Sequence, residues 1–528
     1  MTASSSGTNS PAVRLRRISK RFGAVQANRE VSFDVAAGSV HGIVGENGAG
    51  KSTLMSILYG YYHADAGEIE VMGQPARIAN AQQAMALGLG MVHQHFMLVD
   101  SLSALDNVML GAEPGFFLTR AKQRVRERLE ALMQQTGLHV RLDAEVGSLP
   151  VGEMQRLEIL KTLYRGARIL ILDEPTAVLT PQETEQLFGT LRGLKAQGCT
   201  ILLITHKLKE VMALCDAVTV MRAGQVVQTT PIAETSEAAL AEAMVGRKVS
   251  LGRTGAEHKT DAAAAPLLEA RGLRLRNRLG VPALAGVDLR LLPGEIVGVA
   301  GVSGNGQSEL LEVLAGMRAP DQGRLSLGGR EFEAGAWLDP ALARALRLAH
   351  VPEDRHLHGM VLNFPAWESA VLGYQDLDVY RAAPLGLGLK QGLAQEQTAG
   401  MMERFDVRPR QPELRSSKFS GGNQQKLIMA RELAQAPRVL LVGQPTRGVD
   451  IGAIEFIHAQ LRGLRDAGCA VLLVSSELDE ILALADRVLV MNAGHVTGEL
   501  PIAECTETRL GLLMAAQGRA QEQEGHPA

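Results

Sequence analysis

The sequence predicts an α/β fold made of two copies of one unit, and three observations support this. Residues 45–53, GENGAGKST, fit the pattern of a phosphate-binding loop and stand between an apolar run and a helix-compatible segment. Apolar runs at residues 169–172 and 201–204 are each followed by polar residues, as parallel strands often are at their carboxyl ends. The pattern around Gly45 returns around Gly301, so the unit occurs twice.

The elements of the first unit follow from its residue patterns. Residues 14–22 alternate apolar and basic side chains, which predicts an edge strand with a solvated face. Residues 31–35 and 40–44 predict two strands before the loop, and residues 67–73 predict a strand that ends at a turn. Residues 124–137 carry apolar side chains at helical spacing, so a helix is expected there.

Composition divides the chain into five segments. We expect a disordered N-terminus at residues 1–11, a first domain at 12–249, a linker at 250–266, a second domain at 267–516 and a flexible tail at 517–528. The linker is assigned because SLGRTGAEHKTDAAAAP is rich in small and polar residues.

Charge and cysteine content argue against several classes of protein. The net charge is −3, which gives no electrostatic case for a nucleic-acid partner. The four cysteines show no C-x-x-C spacing, which favours a reducing compartment over a metal or disulfide framework. No run approaches about 18 apolar residues. We therefore expect a cytoplasmic chain that acts at a membrane only through a partner.

The loop of the first unit has the chemistry to bind a nucleotide. Glycines let backbone N–H groups turn towards a phosphate at the start of the following helix. Lys51 would reach the β- and γ-phosphates, and the Ser52 hydroxyl would hold Mg²⁺. The candidate ATP-binding residues of the loop are Gly45, Glu46, Asn47, Gly48, Ala49, Gly50, Lys51, Ser52 and Thr53.

Polar residues at the predicted strand ends complete a phosphoryl-transfer site. Asp173 could hold the Mg²⁺ shell, and Glu174 could deprotonate an attacking water. Gln94 could offer an amide oxygen to Mg²⁺, and His206 could hydrogen-bond the γ-phosphate, although each residue taken alone is also compatible with a structural role. Phe22 could stack on adenine or be an ordinary core aromatic.

A Ser-Gly-Gly run in the second unit offers another anion site. Residues 419–426 read FSGGNQQK, which combines a hydroxyl with free N–H groups ahead of a helix. The corresponding run of the first unit, residues 149–156, reads LPVGEMQR. We call this run the signature run, and its candidate phosphate-binding residues are Ser420, Gly421, Gly422, Asn423 and Gln424.

These motifs, in this order, resemble the motif set of ABC ATPases, and the resemblance covers nearly the whole chain. It implies a tandem pair of P-loop domains, each with a RecA-like α/β core, an antiparallel β subdomain and a helical subdomain. It also implies that the two domains pair head to tail within the chain. Each nucleotide would then lie between the loop of one domain and the signature run of the other.

Compared with that family, the second unit has Gln307 at the position of the loop lysine, Gly443 and Gln444 at those of the aspartate and glutamate, Ser476 at that of the histidine, and Glu353 near that of the glutamine. Each missing charge-assisted contact would weaken phosphate binding by about 1.5–3 kcal/mol. The signature run of the first unit is also altered, with Pro150 and Val151 where the family has serine and glycine. If the domains pair head to tail, the intact loop meets the intact signature run and the altered loop meets the altered one. This predicts one competent and one degenerate ATP site. The residues of the degenerate site are Gln307, Ser308, Glu353, Gly443, Gln444 and Ser476, with Pro150, Val151 and Gly152.

The finer resemblance is to the fused, two-domain ATP-binding subunits of ABC importers for simple sugars and nucleosides. VPEDRHLHG and SGGNQQK resemble the whole group, whereas VGQPTRGVD resembles its nucleoside-type branch. This implies ATP and Mg²⁺ as cofactors, integral membrane permease subunits and an external solute-binding protein as partners, and the cytoplasmic face of the inner membrane as location. A ribose-like sugar or a riboflavin-like solute is the alternative cargo. A soluble twin-ABC translation or repair factor is the alternative class.

Overall fold

A computed structural model of the chain describes residues 11–23, 25–93, 96–111, 118–176, 179, 181–248, 263–277, 280–302, 304–381 and 388–515. Contacts within the chain divide it into a first unit, Met1–Val249, and a second unit, Ser250–Ala528. Each unit has its own hydrophobic core.

The first unit alternates strands and helices. Its strands are β1 (Val13–Phe22), β2 (Val25–Val35), β3 (Val40–Gly45), β4 (Ala66–Val71), β5 (Gln74–Pro75), β6 (Leu89–Val92), β7 (Ile169–Asp173), β8 (Thr200–Ile204), β9 (Ala217–Arg222) and β10 (Gln225–Pro231). Its helices are α1 (Lys51–Leu58), α2 (Ala81–Ala86), α3 (Ala104–Met109), α4 (Leu118–Thr136), α5 (Val151–Tyr164), α6 (Pro181–Ala196), α7 (Leu208–Leu214) and α8 (Glu237–Val245).

The larger sheet of the first unit has the order β10-β9-β3-β8-β7-β6. Strands β6, β7, β8, β3 and β9 run parallel, and β10 pairs antiparallel with β9. Strands β3 and β8 are buried along their whole length, as a parallel sheet covered on both faces requires. Their carboxyl ends meet at one edge of the sheet, where the phosphate-binding loop and the polar strand-end residues lie.

The smaller sheet is antiparallel, with the order β2-β1-β4-β5. Residues 14–22 were expected to form an edge strand, and this prediction is wrong, because β1 lies between β2 and β4. The solvated face is present, but Arg14 pairs there with Asp34 on β2 at 3.3 Å and with Glu70 on β4 at 2.9 Å. The basic residues of β1 thus face carboxylates on both neighbouring strands, which the local pattern could not reveal.

Helices α3, α4 and α5 form a separate helical layer. The predicted helix at residues 124–137 corresponds to the second part of α4, which ends one residue earlier, at Thr136; its Val125 and Leu129 are buried against α3 and α5. Burial of one such side chain stabilises the layer by about 1.5–3 kcal/mol. Leu132 and Met133 pack at the edge of the same cluster.

The second unit repeats this topology. Its strands are β11 (Leu268–Arg276), β12 (Pro282–Leu291), β13 (Ile296–Ala300), β14 (Gln322–Leu327), β15 (Arg330–Glu333), β16 (Leu348–Val351), β17 (Val439–Gly443), β18 (Ala470–Ser475), β19 (Arg487–Asn492) and β20 (His495–Pro501). Its helices are α9 (Gln307–Leu314), α10 (Pro340–Ala345), α11 (Ala366–Val371), α12 (Gln391–Arg404), α13 (Gly421–Leu433), α14 (Ile451–Asp466), α15 (Leu478–Leu484) and α16 (Glu507–Ala515).

The sheets of the second unit have the orders β16-β17-β18-β13-β19-β20 and β12-β11-β14-β15. Each order matches that of the first unit, so the predicted tandem α/β fold with an antiparallel subdomain is confirmed. Among the residues that the structure describes, none of the helices is long and apolar enough to cross a membrane.

Candidate nucleotide site

Two positions of the loop between β3 and α1 have no room for a side chain. Gly50 caps α1 with φ 93°. A Cβ on Gly50 would lie 2.3 Å from the carbonyl oxygen of Ala27, and a Cβ on Gly45 would lie 2.3 Å from that of Met221. These close approaches explain why two glycines of the motif frame the loop.

Lys51 is directed into this loop. It is 6% exposed, and its Nζ donates to the carbonyl oxygens of Gly45 at 2.7 Å and Glu46 at 3.0 Å. Buried Asn28 on β2 donates to the carbonyl oxygen of Gly50 at 3.0 Å and so fixes the far end of the loop. Sequence reasoning missed Asn28, which belongs to no motif.

The strand ends bring two carboxylates and a histidine together. Asp173 ends β7, and Glu174 follows it with φ 47° and donates its N–H to Ile204 at 2.8 Å. His206, just after β8, hydrogen-bonds Glu174 through Nδ1 and Oε1 at 2.9 Å. The three sequence-predicted residues therefore form one cluster.

The two adjacent carboxylates have different electrostatic surroundings. Burial, reinforced by the charge of Glu174, raises the pKa of Asp173 to about 6, although hydrogen bonding with Ser52 and the charge of Lys51 oppose this. Burial also raises the pKa of Glu174, but the hydrogen bond with His206 and nearby positive charges outweigh it and hold this pKa below its usual value. Glu174 is therefore ionised at neutral pH.

The Ser52 hydroxyl and the Asp173 carboxylate also fit a metal. Ser52 lies close enough to Asp173 to lower the pKa of that carboxyl group, and oxygen donors of this kind are the ligands that Mg²⁺ prefers. Gln94, the third predicted magnesium ligand, lies outside the described residues.

A buried network supports the segment that carries His206. Glu210 on α7 accepts hydrogen bonds from Thr176 and, at 3.3 Å, from Thr205. Thr205 Oγ1 in turn accepts the N–H of Lys207 at 3.0 Å. None of these residues was singled out from the sequence, because their hydrogen bonds fix the position of the segment that carries His206 and they define no motif of their own.

Phe22 ends β1, which pairs with β2, the strand whose Ala27 approaches the loop at Gly50. It is 42% exposed, so it is not a core aromatic. Its ring meets Tyr62 edge to face at 5.1 Å between centroids, and Lys20 Nζ lies 5.4 Å from its centroid. An exposed aromatic ring at this position is suited to stacking on the adenine base of a nucleotide, and this role of Phe22 stays a prediction.

The second unit keeps the loop backbone and replaces the charged groups. Gly306 caps α9 with φ 101°, and a Cβ there would lie 2.3 Å from the carbonyl oxygen of Ala283. Gln307, at the position of Lys51, is 7% exposed and donates its amide to the carbonyl oxygen of Val302 at 3.3 Å. Ser308 donates its hydroxyl to Glu353.

The strand end of the second unit is neutral. Gly443 ends β17, and Gln444 follows with φ 47° and donates its N–H to Val474 at 2.8 Å. Ser476 donates its N–H and its hydroxyl to Gln444 Oε1, at 3.1 Å and 3.0 Å. The geometry of the Glu174–His206 pair is thus reproduced without a base.

The Ser-Gly-Gly run of the second unit begins α13. Ser420 is its N-cap, and Ser420 Oγ accepts from the N–H and the Nδ2 of Asn423 at 3.4 Å and 2.9 Å. The predicted run also includes Gly421 and Gly422, in the first turn of the helix. Gln424 is buried and bonds to Ser416 and His356 within its own unit, so its side chain is not presented at the surface.

The corresponding helix of the first unit, α5, begins differently. Pro150 is its N-cap and makes no side-chain cap hydrogen bond, and Val151, which follows, is 40% exposed. A Cβ on Gly152 would lie 2.3 Å from Glu183 Oε1. Loss of an N-cap hydroxyl costs about 0.5–2 kcal/mol of helix stability and removes a polar group at the helix start.

Comparison with known proteins identifies the family. The family model described as ABC transporter matches residues 28–177 and 284–447, more than half of the chain and once in each unit. The chain belongs to the ABC transporter family. It is an ABC-type ATPase, as the motif set predicted.

Three relatives of this ABC transporter ATPase are similar over almost its whole length. The guanosine import ATP-binding protein NupO of Bacillus subtilis (strain 168) is 42% identical over 97% of this chain and 98% of its own. The nucleoside import ATP-binding protein NupA of Lactococcus lactis subsp. cremoris (strain MG1363) is 41% identical over 96% and 98%. The ribose import ATP-binding protein RbsA of Chromobacterium violaceum is 38% identical over 97% and 99%. The predicted resemblance to the nucleoside and simple-sugar group is confirmed.

Proposed function

We propose that this ABC transporter ATPase powers the import of nucleosides through a membrane permease. The observation that carries the hydrolytic part is the Glu174–His206 pair beside the loop that holds Lys51. Two of the relatives described above, at 42% and 41% identity, are named for guanosine and nucleoside import, and they support the cargo.

The first unit supplies the groups that hydrolysis needs. Ionised Glu174 accepts a proton from the attacking water, and His206 holds that carboxylate in place through its hydrogen bond. Lys51 leaves the loop carbonyl oxygens and pairs with the β- and γ-phosphates. Bound Mg²⁺ would neutralise the charge that develops on the phosphates, with Ser52, Gln94 and Asp173 as its predicted protein ligands.

The second unit completes the competent site. In the proposed head-to-tail pairing of the two domains, residues 420–423 face the nucleotide bound at the first loop, whereas Gln424 is held within its own unit. The capped helix start of α13 offers the hydroxyl of Ser420 and the N–H groups of Gly421 and Gly422 to a phosphate. The reciprocal site combines the neutral second loop with the uncapped helix α5, so one site is competent and one is degenerate.

The partners follow from this role. We expect integral membrane permease subunits, an external solute-binding protein that acts through them, and no nucleic acid. The chain would lie at the cytoplasmic face of the inner membrane. A ribose-like sugar is a second candidate cargo, because a ribose import protein is 38% identical over nearly the whole chain. A riboflavin-like solute also stays open.

Uptake of labelled solutes in source cells that lack this chain tests the proposal. Wild type should restore uptake of guanosine and uridine, and Glu174→Gln should not. The purified variant should lose about 100-fold or more of the ATPase rate, as expected for removal of a general base. Glu68→Gln, a matched substitution of an exposed carboxylate on β4, should behave as wild type.

Other outcomes separate the parts of the proposal. If ribose or riboflavin uptake alone is restored, hydrolysis and import stand and the nucleoside assignment is wrong. If Glu174→Gln keeps the wild-type ATPase rate, the catalytic assignment is wrong.

A further inference from the structure

The first unit has an open cleft of about 500 Å³ between helices α4, α5 and α6. The end of α4, the first turns of α5 and the first half of α6 form its walls. Clefts of this size commonly bind small molecules. The side chains that define its chemistry are two leucines, two glutamines and one pair of opposite charges: Leu179, Leu187, Gln155, Gln186, Arg156 and Glu183.

An aromatic ring takes this place in the second unit. Phe456 on α14 corresponds to Gln186 on α6, because the two residues lie at the same distance in sequence beyond β17 and β7. The ring of Phe456 meets Phe405 edge to face at 5.7 Å between centroids, and Lys426 Nζ lies 5.4 Å from its centroid. The first unit has the amide of Gln186 instead, so the cleft is a feature of this unit and not a requirement of the shared fold.

A buried donor lies at the wall of the cleft. Gln155 is 3% exposed, and its Nε2 has no hydrogen-bond partner among the residues that the structure describes. Gln425, at the same position of the second unit, also lacks a partner for Nε2. The donor is thus common to both units, and the space beside it distinguishes the first. A ligand acceptor placed in this space would satisfy a buried donor that is otherwise unpaired.

The charged groups of the cleft oppose each other. Arg156 donates its Nε to the carbonyl oxygen of His139 at 3.0 Å, which holds the guanidinium group at the wall. Glu183 Oε1 would lie 2.3 Å from a Cβ on Gly152, so this carboxylate lies at the start of α5. One cation and one anion favour a neutral ligand over a phosphate. Arginine and glutamine side chains are also the ones that pair with the N7 edge of purines.

We propose that this cleft binds a neutral purine, as the free base or the nucleoside. Gln155 and Arg156 donate to the acceptor edge of the ring, and Leu179 and Leu187 contact its face. The cleft is separate from the phosphate-binding loop of the same unit, so binding there does not compete with ATP. The inference goes beyond the proposed function and does not depend on which solute is imported.

Equilibrium dialysis of labelled guanosine against the full-length protein tests the inference. A saturating non-hydrolysable ATP analogue with Mg²⁺ keeps the nucleotide sites occupied. We expect saturable binding with one site per chain. Guanine in place of guanosine shows whether the base alone is sufficient, and uridine and ribose should bind at least tenfold more weakly. Photoreactive 8-azidoguanosine should label peptides that contain residues 136–156 or 179–190.

Two substitutions locate the site. Gln186→Phe introduces the ring that the second unit has at Phe456, and it should raise the dissociation constant for guanosine at least tenfold. Its melting temperature and ATPase rate should stay close to those of wild type, because Gln186 is exposed and lies outside the catalytic cluster. Gln155→Met keeps the size of the side chain without the donor and should raise the constant about three- to tenfold. Gln134→Phe, the same change at an exposed position of α4 outside the cleft, should bind guanosine as wild type does.

Four results would overturn the inference: no saturable binding of guanosine or guanine, ribose binding as tight as that of guanosine, label confined to other peptides, or an affinity that Gln186→Phe leaves unchanged. Uptake assays separate it from the proposed function. If cells take up guanosine but the purified chain binds no purine in the cleft, the inference fails and the proposed function stands. If the cleft binds guanosine but uptake of nucleosides never depends on the chain, the reverse holds.

Discussion

The strand ends of β7 and β17 have nearly the same backbone and different chemistry. Glu174 and Gln444 both have φ 47°, and each donates its N–H across to the neighbouring strand at 2.8 Å. A left-handed conformation at a non-glycine residue costs about 1–3 kcal/mol. Since the second unit keeps this cost without a carboxylate, the conformation serves the turn itself, and the carboxylate is a separate feature built on it.

The differences between the units are complementary. The first unit has the charged loop and a helix start, at Pro150, without a cap hydroxyl. The second unit has the neutral loop and a helix start, at Ser420, with one. In the proposed cross-pairing, each nucleotide meets either two favourable partners or two poor ones. The predictions below test whether the charges alone make this difference.

The largest effect is expected when Lys51 of the first loop is replaced by glutamine, the residue that the second loop has at Gln307. Lys51→Gln should weaken ATP binding at the first loop by roughly 10–150-fold, which corresponds to the loss of about 1.5–3 kcal/mol. The ATPase rate at limiting ATP should fall at least as much. A titration with labelled ATP and a steady-state ATPase assay measure both quantities.

The reverse substitution is the matched control. Gln307→Lys should change the ATPase rate less than threefold, because the second unit still lacks a base at Gln444. If Lys51→Gln hydrolyses ATP like wild type, or if Gln307→Lys doubles the number of hydrolytic sites, the charge explanation of the asymmetry is wrong.

An effect of about 1–3 kcal/mol on stability is expected at Asp173. Its pKa is about 6 in the folded chain and 3.8 for an ordinary aspartate, so the folded state holds this proton more tightly. The free energy of unfolding therefore falls as the pH rises from about 4 to about 6 and stays lowered above that. Asp173→Asn should stabilise the nucleotide-free protein at pH 8 and change it little at pH 4.

Thermal unfolding of wild type and Asp173→Asn at pH 4 and pH 8 measures this change in stability. Asp65→Asn is the control, because it is expected to destabilise the protein at pH 8. Hydrogen bonds from the Lys20 side chain and the Arg21 backbone lower the pKa of Asp65, so its contribution is present above pH 4 and is lost in acid. Asp65→Asn should lower the melting temperature at pH 8. Equal shifts of Asp173→Asn at pH 4 and pH 8 would contradict the assignment.

Features of the site that depend only on neighbouring residues could be predicted from the sequence. The loop, the strands beside it and Glu174 follow from residues at fixed spacing, because their roles depend on the adjacent backbone. Features that depend on distant pairing were missed. The interior position of β1 results from its pairing with β4, which lies beyond the loop and α1 in sequence. Ser308 and Glu353 were both assigned to the degenerate site from the sequence, but the hydrogen bond between them joins distant segments and was not predicted.

The smallest effect is expected at the rim of the two loops. Arg21 of β1 and Arg276 of β11 donate their backbone N–H in the same way, to Asp65 and Asp321, so Asn277 occupies the place of Phe22. At this position the second unit therefore has an amide side chain in place of the aromatic ring, in addition to the neutral Gln307, Gln444 and Ser476. Sequence comparison had not revealed this, because the alignment of the two strands becomes clear only from the pairing.

Phe22→Ala should raise the dissociation constant for ATP at the first loop by about five- to tenfold, near the lower end of the range for aromatic stacking on a base. Phe22→Trp should restore binding, since it keeps the ring face, and GTP should lose affinity as ATP does, since every base has a π-face. Asn277→Ala should leave binding at the first loop unchanged. If Phe22→Ala lowers the melting temperature without changing the affinity for ATP, the ring only packs on Tyr62, and the rim plays no part in the asymmetry between the units.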